Sequence, residues 1–164
     1  MKELLREITK YNIWANERIC RILEPLSDQI LDKEIKSSFP SIRKTIYHVW
    51  DAETIWYKRL GGKSPKEGLS GTFKGNFQEF QNEFLGGSGK FFMYVINKDK
   101  KDLEKDLSYK NIKGEPFTNN ISHIIQHVVN HSTFHRGQII TMLRNTGVTD
   151  LLPTDFIVFE RENK

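Results

Sequence analysis

Four of the chain's five histidines recur at intervals of four, His123, His127, His131 and His135, within the stretch ISHIIQHVVNHSTFHRGQIITMLR (Ile121–Arg144). On an α-helix that spacing places side chains along one face, drifting by about 40° per step. The same stretch carries Ile124, Val128, Ile139 and Met142. An imidazole held among such residues needs a partner for its ring nitrogens, either a hydrogen-bonding group or a metal. The chain must therefore fold so that other elements close over this helix and supply those partners.

Helical phase separates the four. With about 100° per residue and His131 at zero, the apolar residues named above fall between about 20° and about 80°. His135 lies at about 40°, in the middle of that face, and Gln138 at about −20°, beside His131. His127 sits at about −40° and His123 at about −80°. The phase predicts that His131 and His135 point inward, that His127 lies at the margin, and that His123 is peripheral. Arg136, about 140° from His131, is expected to leave the core for a partner helix, a carbonyl or a dimer contact.

Three further amphipathic segments can cover this helix. Leu5, Ile8, Asn12, Ala15, Ile19, Ile22 and Leu26 follow a 3–4 spacing, which predicts a first helix from Lys2 to about Leu26, with Pro25 at its boundary. Asn12 is the polar member of that stripe. It either fixes register in the core or points into a pocket. After a Ser/Pro loop, Ser41 is a plausible N-cap for a second helix from Ile42 to Leu60, ended by Gly61 and Gly62. Its expected inward stripe is Thr45, His48, Val49, Ala52, Ile55, Trp56 and Leu60. A third helix starts near Asn76 and keeps Phe77, Phe80, Phe84, Phe91 and Val95 in phase. Gly86-Gly87-Ser88-Gly89 interrupts it, each glycine costing about 1 kcal/mol against alanine. The surviving phase favours one continuous, weakened helix. Leu107–Phe117 reads as a short hairpin or irregular crossover, with Gly114 at the turn and Pro116 limiting the pairing. Asn119 or Asn120 then caps the histidine helix, Gly147 suits its C′ position, and the apolar tail Leu151–Phe159 is expected to pack back on the helices. The reading is an all-α four-helix bundle in one domain, residues 1–164.

Composition removes several function classes. The net charge is +4, but Lys98, Lys100, Lys101 and Lys105 alternate with Asp99, Asp102, Glu104 and Asp106, a solvated run and not a nucleic-acid stripe. Apolar runs are too short to span a membrane, and the N-terminus lacks the features of a secretion signal. The lone Cys20 reads as a small buried hydrophobe and fits a reducing, cytoplasmic setting.

His48 completes the constellation. It lies mid-stripe on the second helix and can reach the core faced by His131 and His135. Two imidazoles at i and i+4 can share one ion, and a third from a facing helix leaves an open position, the pattern of a catalytic transition-metal site. A buried hydrogen-bonded cluster and a pH-responsive interface are the competing readings. Asp51, about −60° from His48, could orient a ligand histidine or be an ordinary polar flank, while Glu53, about 140° away, is expected at the surface or a helix contact. Trp14 and Trp56 read first as core and second as pocket walls. No HExxH motif and no nucleophilic triad spacing is present.

The segment HVVNHSTFHRGQI (His127–Ile139) resembles the final-helix motif of the DinB family, within the wider DinB/YfiT-like group. YNIWANERI (Tyr11–Ile19), HVWDAETIWYKRLGG (His48–Gly62) and the tail LLPTDFIVFERE resemble its other motifs in the same order, so the likeness covers nearly the whole chain. The resemblance implies an up-down-down-up bundle and one divalent metal, zinc or nickel, held at the positions of His48, His131 and His135. Asn12, Asp51, Trp56, His127 and Gln138 are then expected in or around the pocket. It further implies a homodimer and a small-molecule substrate. The chemistry is hydrolysis or transfer of a low-molecular-weight thiol, or else non-catalytic binding of a metal or small ligand in a stress response.

Overall fold

A computed structural model describes residues 1–163. The chain is mostly helical. Four long helices, α1 (Lys2–Leu23), α3 (Ile42–Leu60), α4 (Phe77–Ile96) and α6 (Ile121–Asn145), are accompanied by short α2 (Asp28–Leu31), α5 (Lys100–Leu103) and α7 (Phe156–Glu162). The strands β1 (Asp106–Lys110) and β2 (Pro116–Asn120) form a two-stranded sheet. α6 packs against α3 and α1, and α4 packs against the same two helices, giving a helical bundle.

Local chemistry sets the helix ends. The Ser41 hydroxyl accepts from the Lys44 N–H, satisfying a free donor in the first turn of α3. Asn76 and Glu79 form a reciprocal capping box on α4. Asn120 accepts from the Ser122 N–H at the start of α6, and Gly147, at φ 90°, receives the chain beyond its end. α1 stops at Leu23, short of the expected Leu26, because Pro25 has no N–H to continue the helical hydrogen bonding.

Two apolar clusters fill the bundle. Ile19, Leu23, Ile42, Ile46, Trp50, Phe80, Phe84, Ile139 and Leu143 form one. Leu5, Leu60, Phe91, Val95, Leu103, Ile125 and Val128 form the other. The tail packs back as expected: Phe159 on α7 is buried against the Tyr11 and Trp14 rings of α1, and Arg18 pairs with Glu162 at 2.5 Å. Cys20 is fully buried, and burial pushes its thiol up to about 12, so it is unreactive at neutral pH.

Several local expectations change. The continuous third helix is not one of them: α4 runs unbroken through Gly86–Gly89, as the surviving aromatic phase favours. A Cβ added at Gly86, Gly87 or Gly89 would meet nothing within 4 Å, so close approach does not require these glycines. Ser88 between them is buried and accepts from Asn16 Nδ2 on α1 at 3.1 Å. The hairpin reaches Asn120, beyond the expected Phe117, because Pro116 opens β2 at its end pair with Lys110 and leaves the ladder intact. On α3 the fully buried positions are Ile42, Thr45, Ile46, Val49, Trp50, Glu53, Arg59 and Leu60; Ala52, Ile55 and Trp56 are only partly covered. No helix among the described residues is long and apolar enough to cross a membrane.

Candidate metal centre

His48 from α3 meets His131 and His135 from α6 in the seam between those helices. One ring nitrogen of each lies within 4.8 Å of the other two. His48 Nε2 and His131 Nε2 are 3.0 Å apart. Nitrogens bound at about 2.0–2.1 Å to a common ion are separated by about 2.9–3.4 Å for angles between right and tetrahedral, so this pair fits such an ion. A single hydrogen bond between neutral rings would satisfy that contact as well. It would leave the near nitrogen of the third imidazole, His135, within 4.8 Å of both without a hydrogen bond to either.

The hydrogen bonding of His135 decides which of its nitrogens faces the centre. Its Nδ1 lies 2.7 Å from Gln138 Oε1, while Gln138 Nε2 donates to Ser38 Oγ at 2.9 Å. A carboxamide oxygen can only accept, so Nδ1 carries the proton and Nε2 keeps its lone pair. Burial lowers the affinity of all three rings for protons. The His131 pKa falls to about 4, through burial first and then the neighbouring His135, His48 and His127. His48 is lowered by burial and by His135, with Asp51 opposing. His135 is lowered by burial, against the Gln138 hydrogen bond. Neutral imidazoles with converging lone pairs are the donor set that zinc and its neighbours take up.

A loop residue unnoticed in the sequence covers the centre. Phe39, between α2 and α3, stacks on His48 with centroids 4.2 Å apart and planes inclined by 29°, and meets His135 edge-on at 5.6 Å. The Gln138–Ser38 bond ties the same loop to α6. A large aromatic isolated in the Ser/Pro segment shortly before His48 was the available signal.

The other expected pocket residues divide. Gln138 lies at the centre. His127 is exposed, one turn from His131 with ring centroids 5.8 Å apart, and its other neighbour is the Trp56 ring at 5.4 Å. His123 is exposed, as its phase predicted. Trp56 is half-buried beneath the hairpin, against Tyr109, and not a core residue. Asp51 bonds to no histidine. It accepts from the Ser70 N–H at 2.9 Å and fastens the α3–α4 connection.

Asn12 belongs to a different cluster. Its Nδ2 donates to Glu53 Oε2 at 2.8 Å, and its Oδ1 accepts from Arg136 Nη1 at 2.8 Å. Asn16 Oδ1 accepts from the same Nη1 at 2.7 Å, and Asn16 also reaches Ser88. Glu53 and Arg136 are 3% and 1% exposed: of the positions expected for them, both take the contact with a partner helix, α1, and they do so in the interior and not at the surface. Burial raises the Glu53 pKa and lowers that of Arg136. The buried residues of α6 span about 20° to about 180° from His131, a wider arc than that of its four apolar residues on the α3 side. α6 serves two neighbours, α3 on the His131 side and α1 on the Arg136 side.

The whole pattern has a counterpart among known proteins. The chain matches the DinB family over residues 1–163. It is 31% identical over 163 residues to Protein DinB of Bacillus subtilis (strain 168), covering 95% of this chain and 93% of that protein. With the three-histidine centre, the helical fold and near-complete coverage in agreement, this chain belongs to the DinB family.

Proposed function

We propose that this chain holds one divalent transition metal, zinc or nickel, through His48, His131 and His135, and uses it on a small molecule. The observation that carries the reading is the convergence of three neutral imidazoles from two helices. A bound ion of this kind supplies Lewis acidity to a water or a low-molecular-weight thiol. The favoured activity is therefore that of a hydrolase or a thiol S-transferase. Gln138 holds His135 in the tautomer that presents Nε2. Phe39 keeps water off one side of the centre. His127 stands at the open side, placed to accept a proton from an incoming group.

The bundle is read as up-down-down-up. Leu5 near the start of α1 shares a cluster with Leu60 near the end of α3, Val95 near the end of α4 and Ile121 at the start of α6, which supports that order. A cytoplasmic homodimer completes the proposal. The second reading is a non-catalytic metal or small-ligand binding protein of the stress response, which the same three-histidine cluster would serve. Elemental analysis of untagged protein tests the common part of both. Near-stoichiometric zinc or nickel is expected, and protein that neither carries nor takes up either ion would sink the enzyme reading and the metal-binding form of the second.

A further inference from the structure

Arg59, in the last turn of α3, is 7% exposed, and among the described residues no carboxylate pairs with it. Its Nε is buried without a hydrogen-bond partner. The guanidinium lies over the Trp56 ring at 4.5 Å and the Tyr109 ring at 4.9 Å. Burial lowers its pKa, and only Tyr109 opposes the shift. An uncompensated buried cation is costly, and the usual resolution is an anion. Arg136, the other buried guanidinium, has amide partners for Nη1 and the Thr133 hydroxyl for Nη2. Arg59 has two aromatic faces and no hydrogen-bond partner among the described residues, with Nε buried and the terminal nitrogens still reaching solvent.

Its position links it to the histidine centre. Aromatic rings run without a gap from His131 to His127 (5.8 Å), to Trp56 (5.4 Å) and to Tyr109 (5.0 Å). Beside that row lies a cavity of about 280 Å³ walled by Trp56, Tyr109, Asn119, His123, Ile124 and His127. Along α3, Trp56 and Arg59 stand about 12 and about 16 Å from His48. Arg59 is not a wall of that cavity; it stands behind Trp56 and Tyr109, which are, and the row of rings joins it to the histidines.

We propose that Arg59, with Trp56 and Tyr109, is an anion subsite, and that the ligand is an elongated small molecule bearing a carboxylate or phosphate at one end and its reacting group at the other. The anion subsite stands on Arg59 itself; the two-ended ligand rests on the metal reading above. The aromatic row suits a linker with an apolar or amide face. The guanidinium fork suits either anion, through paired charge-assisted hydrogen bonds.

The test has two arms. In the first, citrate and pyrophosphate are titrated at constant ionic strength into metal-free protein, and the indole N–H signals of Trp14, Trp50 and Trp56 are followed by NMR. The Trp56 signal is expected to move saturably with one or both anions, which also separates carboxylate from phosphate. Arg59→Met, which keeps an apolar stem, should weaken that binding by about tenfold to a hundredfold. A Trp56 signal indifferent to both anions, or moved equally by chloride, overturns the subsite, and this readout needs no variant to fold. In the second arm, mercaptocarboxylates of increasing chain length are bound to cobalt-loaded protein and followed by the thiolate absorption band. Affinity is expected to peak at one spanning length, with the peak absent in Arg59→Met. A length-independent affinity overturns the two-ended ligand. Failure to load cobalt defeats the metal reading and leaves the first arm to decide the subsite.

Discussion

Two polar clusters occupy this bundle, and they use their polar atoms differently. The network of Asn12, Asn16, Glu53, Ser88 and Arg136 lies in the interior and joins all four long helices. Nearly all its donors and acceptors are matched, with Glu53 Oε1 and Arg136 Nε the exceptions. The histidine cluster lies in the α3–α6 seam, nearer solvent, with His48 and His131 only partly covered. There one ring nitrogen of each imidazole lies within 4.8 Å of the other two, and hydrogen bonds within the protein do not account for them all. A network that spends its polar atoms on itself fixes register; a cluster that leaves them unspent beside an opening is a site.

That contrast can be broken by substitution. His131→Ala should abolish near-stoichiometric zinc or nickel uptake while circular dichroism and thermal unfolding of the metal-free protein change little; a variant with full occupancy would remove His131 as a ligand. Arg136→Met should do the reverse. It leaves Asn12 Oδ1 and Asn16 Oδ1 buried without their shared donor and removes the positive charge near Glu53, and should cost about 2–5 kcal/mol in denaturant unfolding. The Glu53→Gln, Arg136→Met double variant should lose less than the sum of the single losses, since the charges are coupled. If Arg136→Met unfolds like the parent chain, the network is not structural.

Gln138→Ala sharpens the same comparison at smaller scale. It frees the His135 tautomer and detaches Ser38, so metal affinity should fall about tenfold to a hundredfold with the fold intact, as competition with a chelator would measure. The weakest effect concerns acid. The His131 pKa is lowered from 6.5 to about 4, so the unfolded chain binds the proton first as pH falls. Metal-free protein should lose stability progressively between those values, and His131→Ala should flatten that part of the curve. A metal-free profile unchanged by the substitution would contradict the burial assigned to His131.

The histidine site was legible because it obeys a local rule. Intervals of four on an apolar stretch select His131 and His135, and His48 is the only other histidine. The interior network escaped because the helix was read as having one partner. Ile124, Val128, Ile139 and Met142 set the face on the α3 side, whereas Ile125, Val129 and Leu143 extend it toward α1 and bring Arg136 inside. Glu53 on α3 was left between the surface and a helix contact for the same reason, and the contact with Asn12 of α1 is the one formed. Asn12 was placed in the core correctly, but its partners are remote in sequence, so spacing could not choose between register and pocket. Phe39 offered only its isolation in the Ser/Pro segment, and Arg59 nothing local, because their contacts come from a loop folding over His48 and a hairpin delivering Tyr109 to the end of α3.

The central claim is that one ion binds where the three imidazoles converge. Anomalous diffraction from crystals of untagged protein loaded with zinc, collected on both sides of the zinc absorption edge, measures this directly. The expected result is one strong peak within bonding distance of His48 Nε2, His131 Nε2 and His135 Nε2. A loaded crystal with no peak there, or with its metal at His123 or His127 instead, would contradict it.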